Sequence, residues 1–166
     1  YGIRAEVTAT PRGAIHRYTF PKSSCAGVAV DFSHGGIEIE DGRTIPLRAE
    51  CCLKKPLSAE ACVTMEGLPI RMSVVVSGFD AISAESSLWE KDQYLHSHKE
   101  KVYEYMREST YFPFGVCFRG PTEEEHVVEL HVAFSFRSRA KAHQNRLSEP
   151  QQFSAARSLA AKKWEE

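Results

Sequence analysis

Apolar and polar residues alternate along several short stretches of this chain, with the period of two that half-buried β-strands produce. In the first stretch, residues 3–9, the odd-numbered positions are apolar and the even-numbered positions are polar. The pattern predicts a strand whose buried face consists of Ile3, Ala5, Val7 and Ala9. A turn at Pro11-Arg12-Gly13 then leads into a second alternating stretch, so the two together are predicted to form a β-hairpin.

Similar stretches recur between turn sequences along the rest of the chain. Strands are predicted over residues 3–9, 14–20, 26–32, 37–40, 43–47, 70–77, 112–118 and 126–136. The pair Asp41-Gly42 lies between two of them and is the strongest local signal for a hairpin. Many short strands joined by turns are typical of an antiparallel β-sandwich, so the predicted fold class is mainly β.

The period changes after residue 137. Residues 140–147 and 152–164 show helical spacing, and Phe153, Ala156, Ala160 and Trp164 lie on one face of the second predicted helix. Residues 86–109 fit neither period and are interpreted as a helical or irregular insertion. The pattern therefore predicts a β-sandwich domain over residues 1–137 followed by two C-terminal helices over residues 138–166.

Composition narrows the classes of protein that this chain resembles. Its 166 residues are 42% hydrophobic and 26% charged, with a formal net charge of -1, which gives no electrostatic case for nucleic acid or an anionic membrane. No apolar run approaches the roughly 20 residues that a membrane-spanning helix needs. The Lys and Arg residues between positions 137 and 163 lack interleaved aromatic residues, and we interpret them as a solvated helix face rather than an RNA site.

The cysteines give no sign of a cross-linked or zinc-binding protein. There are five, an odd number, and no two form a C-x-x-C pair. They are expected to be buried free thiols. A bridge from Cys51 or Cys52 to Cys62 is left open as an alternative.

Two segments carry a resemblance to a known family. Residues 6–21, EVTATPRGAIHRYTFP, resemble the ELTAT-x-R-x-G-x-H-R-Y-x-F-P segment in the N-terminal β-sandwich domain of glycoside hydrolase family 92, the calcium-dependent α-mannosidases. Residues 135–149 are similar to that family's S-Y-V-S-x-E-x-A-x-x-N-L-x-x-E segment. The positions in register are Ser135, Ser138, Ala142, Asn145 and Glu149. Phe153 and Trp164 keep the spacing of the family's F-x(10)-W helix.

The sequence also departs from the family pattern. The family places its glycine directly before the aliphatic residue and the histidine, whereas in this chain Gly13 is followed by Ala14. Arg137 replaces an apolar strand residue, and Arg146 replaces a leucine. The surface of the terminal strand and helix is therefore expected to pack differently.

The resemblance implies that the chain is a truncated N-terminal accessory domain of an exo-acting α-mannosidase, an inverting and calcium-dependent glycosyl hydrolase. In that family both catalytic carboxylates and the calcium site belong to an (α/α)6 helical domain, which would follow residue 166, and the two predicted helices would be the linker towards it. No catalytic or metal-binding residue is therefore assigned to this chain, calcium is expected only in the full-length protein, and the chain alone is expected to be inactive. The implied partners are mannose-containing glycans and the missing helical domain, and secretion follows by analogy.

Two residues of the first motif are candidates for substrate contact. His16 occupies the position of the motif histidine, and Arg12 lies in the hairpin turn. Each has a structural alternative, which we prefer. His16 shares a strand face with Tyr18 and Phe20, as a core histidine would, and Arg12 can pair with a carboxylate from a neighbouring loop.

Aromatic residues support a second function from a different class. Flat apolar rings suit the C–H faces of pyranoses, although core packing is expected to take most of them. The rings in question belong to Trp89, Tyr94, Tyr103, Tyr105, Tyr111 and Phe112. The alternative function is a stand-alone carbohydrate-binding or protein-interaction β-sandwich.

The His96-x-His98 pair is interpreted as an exposed polar patch rather than a metal site. On a helix, side chains two positions apart do not face each other and so cannot bind one metal ion together.

Overall fold

The computed structural model of the chain describes residues 2–32, 48–54, 57–65, 68–91, 93–96, 99–104 and 113–165. In chain order, the strands of this described part are β1 (Arg4–Thr10), β2 (Gly13–Phe20), β3 (Ser23–Asp31), β4 (Arg48–Lys54), β5 (Ser58–Met65), β6 (Leu68–Ser77), β7 (Glu85–Glu90), β8 (Gln93–Leu95), β9 (Glu100–Glu104), β10 (Phe114–Thr122) and β11 (His126–Ser135). Two helices follow, α1 (Arg139–Ser148) and α2 (Phe153–Glu165).

The strands form two antiparallel sheets. One has seven strands in the order β1-β2-β11-β6-β5-β4-β9, and the other has four in the order β3-β10-β7-β8. Apolar side chains from both sheets meet in one core between them, as in a sandwich. Its fully buried members include Val28, Val74, Leu88, Phe114, Val116, Phe118 and Val128. The predicted antiparallel β-sandwich followed by two C-terminal helices is confirmed.

The first hairpin forms as predicted, but β1 buries the opposite face. Its partner β2 pairs with it along its whole length, with Val7 opposite His16. Val7 is 61% exposed, whereas Thr8 on the other face is only 7% exposed. The reason is that β1 lies at the edge of the seven-stranded sheet, where the four-stranded sheet does not cover it, while α2 packs against the opposite face. The prediction that Ile3, Ala5, Val7 and Ala9 are buried is therefore wrong.

The interpretation of residues 86–109 as a helical or irregular insertion is also wrong. Most of its described part is extended, because β7 pairs with β10 and β9 pairs with β4. Leu88 is 1% exposed and points into the core opposite Val116. The strands β4 and β5 were not predicted at all, since their inward positions carry small residues. The strands predicted over 37–40 and 43–47, and the Asp41-Gly42 hairpin, lie outside the described residues.

All five cysteines are free. Cys51 and Cys117 are buried as expected, but Cys25 is exposed and the other two are half-buried, so the expectation of five buried thiols is wrong. Burial raises the pKa of the Cys51 thiol. The bridge that was left open does not form, because Cys51 lies opposite Ala61 in the β4–β5 register and Cys62 lies opposite Glu50. Within the described residues, neither helix is long and apolar enough to cross a membrane.

Candidate functional site

The two helices attach to the outer face of the seven-stranded sheet and form a corner with the β1–β2 turn. Helix α1 packs on β11 and β6, and α2 packs on β1 and β2. The Ser138 side chain caps α1 by accepting a hydrogen bond from the Lys141 amide at 3.0 Å. Phe153 and Ala156 of α2 are buried against Ile15, which forms a second small core on this side of the sheet.

Arg12 holds the turn against this corner. Its carbonyl oxygen accepts a 2.8 Å hydrogen bond from the Phe134 amide, so the turn is tied to the end of β11. Its guanidinium nitrogen Nη1 lies 3.6 Å from Oε1 of Glu149, a residue of the connection between α1 and α2. The Glu149 side chain is only 7% exposed, whereas that of Arg12 is 55% exposed. Arg12 therefore pairs with a carboxylate from a neighbouring loop, which is the structural role that we preferred for it.

Asn145 of α1 makes two further hydrogen bonds at this corner. Its side-chain Nδ2 donates a 2.8 Å hydrogen bond to the Phe134 carbonyl, and its own carbonyl accepts one from the Glu149 amide at 3.1 Å. Asn145 is 5% exposed, so these bonds are shielded from water and hold the helix end to β11. The polar residues shared with the family motif thus have structural roles in this chain.

Removing the Arg12 side chain should destabilise the domain. We expect Arg12→Ala to lower the free energy of unfolding by about 1–3 kcal/mol, because the buried Glu149 carboxylate then lacks its cation. A chemical denaturation curve measures the change. Glu149→Gln in the Arg12→Ala background should recover part of the loss, since a neutral amide needs no cation.

The control for this experiment is Arg4→Ala. Arg4 and Glu6 form an exposed pair at 3.7 Å, and removing such a pair costs about 0.5 kcal/mol or less. Equal losses for Arg4→Ala and Arg12→Ala would mean that burial of Glu149 does not matter. In that case the Arg12–Glu149 ion pair would not be what holds the corner together.

His16 lies on the inner face of β2, away from the helical corner. Its Nδ1 is 3.3 Å from the Tyr18 hydroxyl, and the two rings stack with centroids 6.1 Å apart. Burial lowers the pKa of His16, which favours the neutral imidazole. The structure therefore separates His16 from Arg12 and does not bring them to one site. Sugar contact by either residue stays a prediction.

The distal half of α2 leaves an apolar groove beside the first hairpin. The groove has a volume of 160 Å³ and is lined by Ala9, Thr10, Pro11, Pro150, Ala156, Leu159, Ala160, Lys163 and Trp164. Trp164 is 88% exposed and Leu159 is 38% exposed. The helical face predicted from Phe153 to Trp164 is thus buried only in its first half. Its second half presents the Trp164 indole to solvent, and the neighbouring Leu159 is also exposed.

Metal-ligating side chains are not clustered within the described residues. Among the described residues, no group of three or more His, Cys, Asp or Glu side chains lies close enough to hold a metal ion. Of the His96-x-His98 pair the structure describes His96, whose ring centroid lies 6.0 Å from that of Tyr94.

Comparison with known proteins gives matches in structure alone. No protein-family model and no curated protein matches the sequence. The inverting GH92 mannosidase BT2199 from Bacteroides thetaiotaomicron VPI-5482 aligns with a TM-score of 0.74 at 14% identity, over 98% of this chain and 20% of that one. The GH92 α-mannosidase BT3965 from Bacteroides thetaiotaomicron gives 0.71 at 18% identity, over 99% and 22%. Its complex with mannoimidazole gives the same TM-score, over 99% and 21%.

The chain has the fold of one part of a family 92 mannosidase. The resemblance seen in its sequence motifs is therefore confirmed for the fold. The chain spans about a fifth of the length of these mannosidases. At identities of 14% and 18%, the likeness concerns the fold and does not by itself assign an activity.

The helical corner brings together residues from both sequence motifs. The second motif and the Arg12 turn of the first motif meet at the helical corner, where Asn145 and Glu149 make polar contacts. The pairing of Arg12 with Glu149 was not predicted, since the two lie far apart in the sequence and neither strand nor helix periodicity relates them. The presence of an arginine in a turn and a glutamate before Pro150 was the only signal in the sequence.

Proposed function

We propose that this chain is the N-terminal β-sandwich accessory domain of an exo-acting α-mannosidase, and that it does not hydrolyse glycosides by itself. The observation that carries the proposal is the fold match, which extends over 98% of this chain and 20% of a mannosidase. The sequence motifs at both ends of the chain support it independently.

In this proposal the chemistry belongs to the rest of the enzyme. An inverting glycosidase needs one carboxylic acid to protonate the leaving oxygen and one carboxylate to activate water, about 6.5–9.5 Å apart. We assign neither role to this chain, and we assign the calcium of the full-length enzyme to its helical domain. The accessory domain helps to shape the mannose-binding site at the interface between the two domains.

The apolar groove beside α2 is the surface proposed to meet the helical domain. A tryptophan that is 88% exposed at the end of a docked helix adds apolar surface that water solvates poorly. The residues that would be covered are Leu159, Ala160 and Trp164, all of which line the groove. Their burial would fix the angle at which α2 leads into the next domain.

Hydrogen exchange tests this interface. In the protein encoded by the complete reading frame, the amides of the last two turns of α2 should exchange more slowly than in the 166-residue chain. The same reading frame should encode an acid-bearing helical domain after residue 166. A stop codon at that point would contradict the proposal and favour the stand-alone module.

A further inference from the structure

The outer face of the four-stranded sheet carries a depression that the accessory role does not use. Its volume is 260 Å³, and it is lined by Ala29, Trp89, Lys91, Gln93, Tyr94 and Cys117. Clefts that hold drug-sized ligands measure about 300–1,000 Å³, so this depression suits a smaller molecule. Two of its lining residues are aromatic, which is typical of binding sites rather than of a solvated sheet face.

Gly115 allows the Trp89 ring to lie against the sheet. The two residues are opposite each other in the β10–β7 register. A Cβ atom on Gly115 would lie 2.9 Å from Nε1 of Trp89 and 1.9 Å from the Val30 carbonyl oxygen. A larger residue would therefore clash both with the β3 backbone and with the indole. The ring consequently lies over β10 and forms part of the floor of the depression.

The indole nitrogen of Trp89 needs an acceptor that the described residues do not supply. Nε1 is inaccessible to solvent, and no hydrogen-bond partner for it lies among the described residues. The Ser87 hydroxyl is also inaccessible to solvent and also has no hydrogen-bond partner among the described residues. The whole Ser87 residue is 2% exposed. Ser87 faces Cys117 across the β7–β10 pairing, so it lies on the same face of the sheet as the depression. Buried polar groups almost always have partners, but both atoms are closed to solvent and lie out of reach of a molecule in the depression.

The second ring is held in place by a cation. Tyr94 lies opposite Trp89 on β8, and the guanidinium carbon of Arg119 lies 4.3 Å from the centroid of its ring. Arg119 in turn pairs with Glu85 at 3.3 Å, which balances its charge. Arg119 is therefore not an unpaired cation. Tyr94 remains 46% exposed and is accessible for contact.

We infer that this depression binds one ring of a neutral pyranose in a glycan. The C–H face of the sugar packs on the aromatic rings of Trp89 and Tyr94, which line the depression. Gln93 on the rim adds an amide that can donate and accept. The pyranose site does not depend on the proposed mannosidase role. Only the choice of a mannoside as first probe rests on that role.

Nuclear magnetic resonance of the indole groups gives a test with an internal control. The chain has two tryptophans, so a ¹⁵N-labelled sample shows two indole N–H signals, from Trp89 and Trp164. Titration with methyl α-mannoside should shift the Trp89 signal in a saturable manner, with a dissociation constant on the order of 1 mM. The Trp164 signal should stay in place, because this residue lies on α2 and lines a different depression.

Variants of the lining residues show whether the sugar binds in the depression. Trp89→Ala and Tyr94→Ala should each weaken binding at least about tenfold, whereas Trp164→Ala should leave it unchanged. If Trp89→Ala fails to fold, Tyr94→Ala still decides, because Tyr94 is 46% exposed on the edge strand β8. The backbone amide spectrum reports folding in each case.

Three sugars separate the possible outcomes. A saturable Trp89 shift with methyl α-mannoside supports the site and its match to mannose. The same shift with methyl β-glucoside or methyl β-galactoside alone supports a pyranose site and counts against mannose. No shift with any of the three up to about 50 mM, or equal shifts of both indoles, overturns the inference. None of these outcomes depends on whether the full-length protein hydrolyses mannosides.

Discussion

Replacing Gly13 with alanine is expected to destabilise the domain by about 3 kcal/mol. Gly13 is the first residue of β2 and lies opposite Ala133 of β11. A Cβ atom there would lie 1.9 Å from the Val132 carbonyl oxygen and 2.9 Å from the Ala133 Cα atom. Both neighbours are backbone atoms of a central strand, so the clash can be relieved only by moving the strands apart. Chemical denaturation of the variant measures the loss.

The matched control is Gly27→Ala, a glycine in the middle of β3. A Cβ atom there would meet the Arg119 side chain at 3.3 Å, and that flexible side chain can move. We expect its free energy of unfolding to change by less than about 1 kcal/mol, because the lower entropy of the unfolded chain offsets the crowding. If both variants lose the same free energy of unfolding, the close approach of β2 to β11 does not explain why position 13 requires glycine.

Replacing Phe153 with alanine is expected to detach helix α2 from the sheet. Phe153 is 3% exposed, packs against Ile15, and lies under the Arg17 guanidinium, whose carbon is 4.3 Å from the ring centroid. Truncating a buried phenylalanine costs about 3–5 kcal/mol. Because the core beneath α2 is small, we expect this loss to appear as unfolding of α2 with the sandwich intact. Faster hydrogen exchange along residues 153–165 would show it.

Trp164→Ala is the control for that experiment. Trp164 belongs to the same helix but is 88% exposed, so its removal from the 166-residue chain should change the stability by less than about 0.5 kcal/mol. Protection of the strand amides should stay the same in both variants. Loss of protection in β2 and β11 as well as α2 would contradict the separation of the two cores.

Strand periodicity was enough to predict the sandwich but not the face that each strand buries. A period of two places Val7 and Thr8 on opposite faces of the strand, but it does not indicate which face is covered. The covered face of β1 is decided by the extent of the smaller sheet and by the docking of α2, both of which are tertiary features. Polar residues on the buried face of an edge strand are tolerated there because a helix rather than the main core covers them.

The missed strands have a different physical explanation. In β5 the inward residues are small, such as Ala59 and Ala61, and carry little of the branched or aromatic character by which strands are recognised. In β7 the sequence neighbours of Leu88 and Trp89 are glutamates and serines, which give little indication of a strand. Long-range pairing with β10 overrides this weak local preference.

The candidate site was predictable in its residue types and not in its contacts. The sequence motifs pointed to Arg12 and to Glu149, and the fold joins them in one ion pair. The depression on the smaller sheet depends on the pairing of Gly115 with Trp89 across two strands that only the fold brings together. Of the candidate sugar-stacking residues whose side chains the structure describes, Trp89 and Tyr94 line this depression.

The most direct test of the accessory-domain role is mannose release from α-linked mannobioses. We predict that the purified 166-residue chain releases no mannose in the presence of calcium, and that the protein encoded by the complete reading frame does. A chelator should abolish the activity of the longer protein. Mannose release that co-purifies with the 166-residue chain alone would contradict the accessory-domain role.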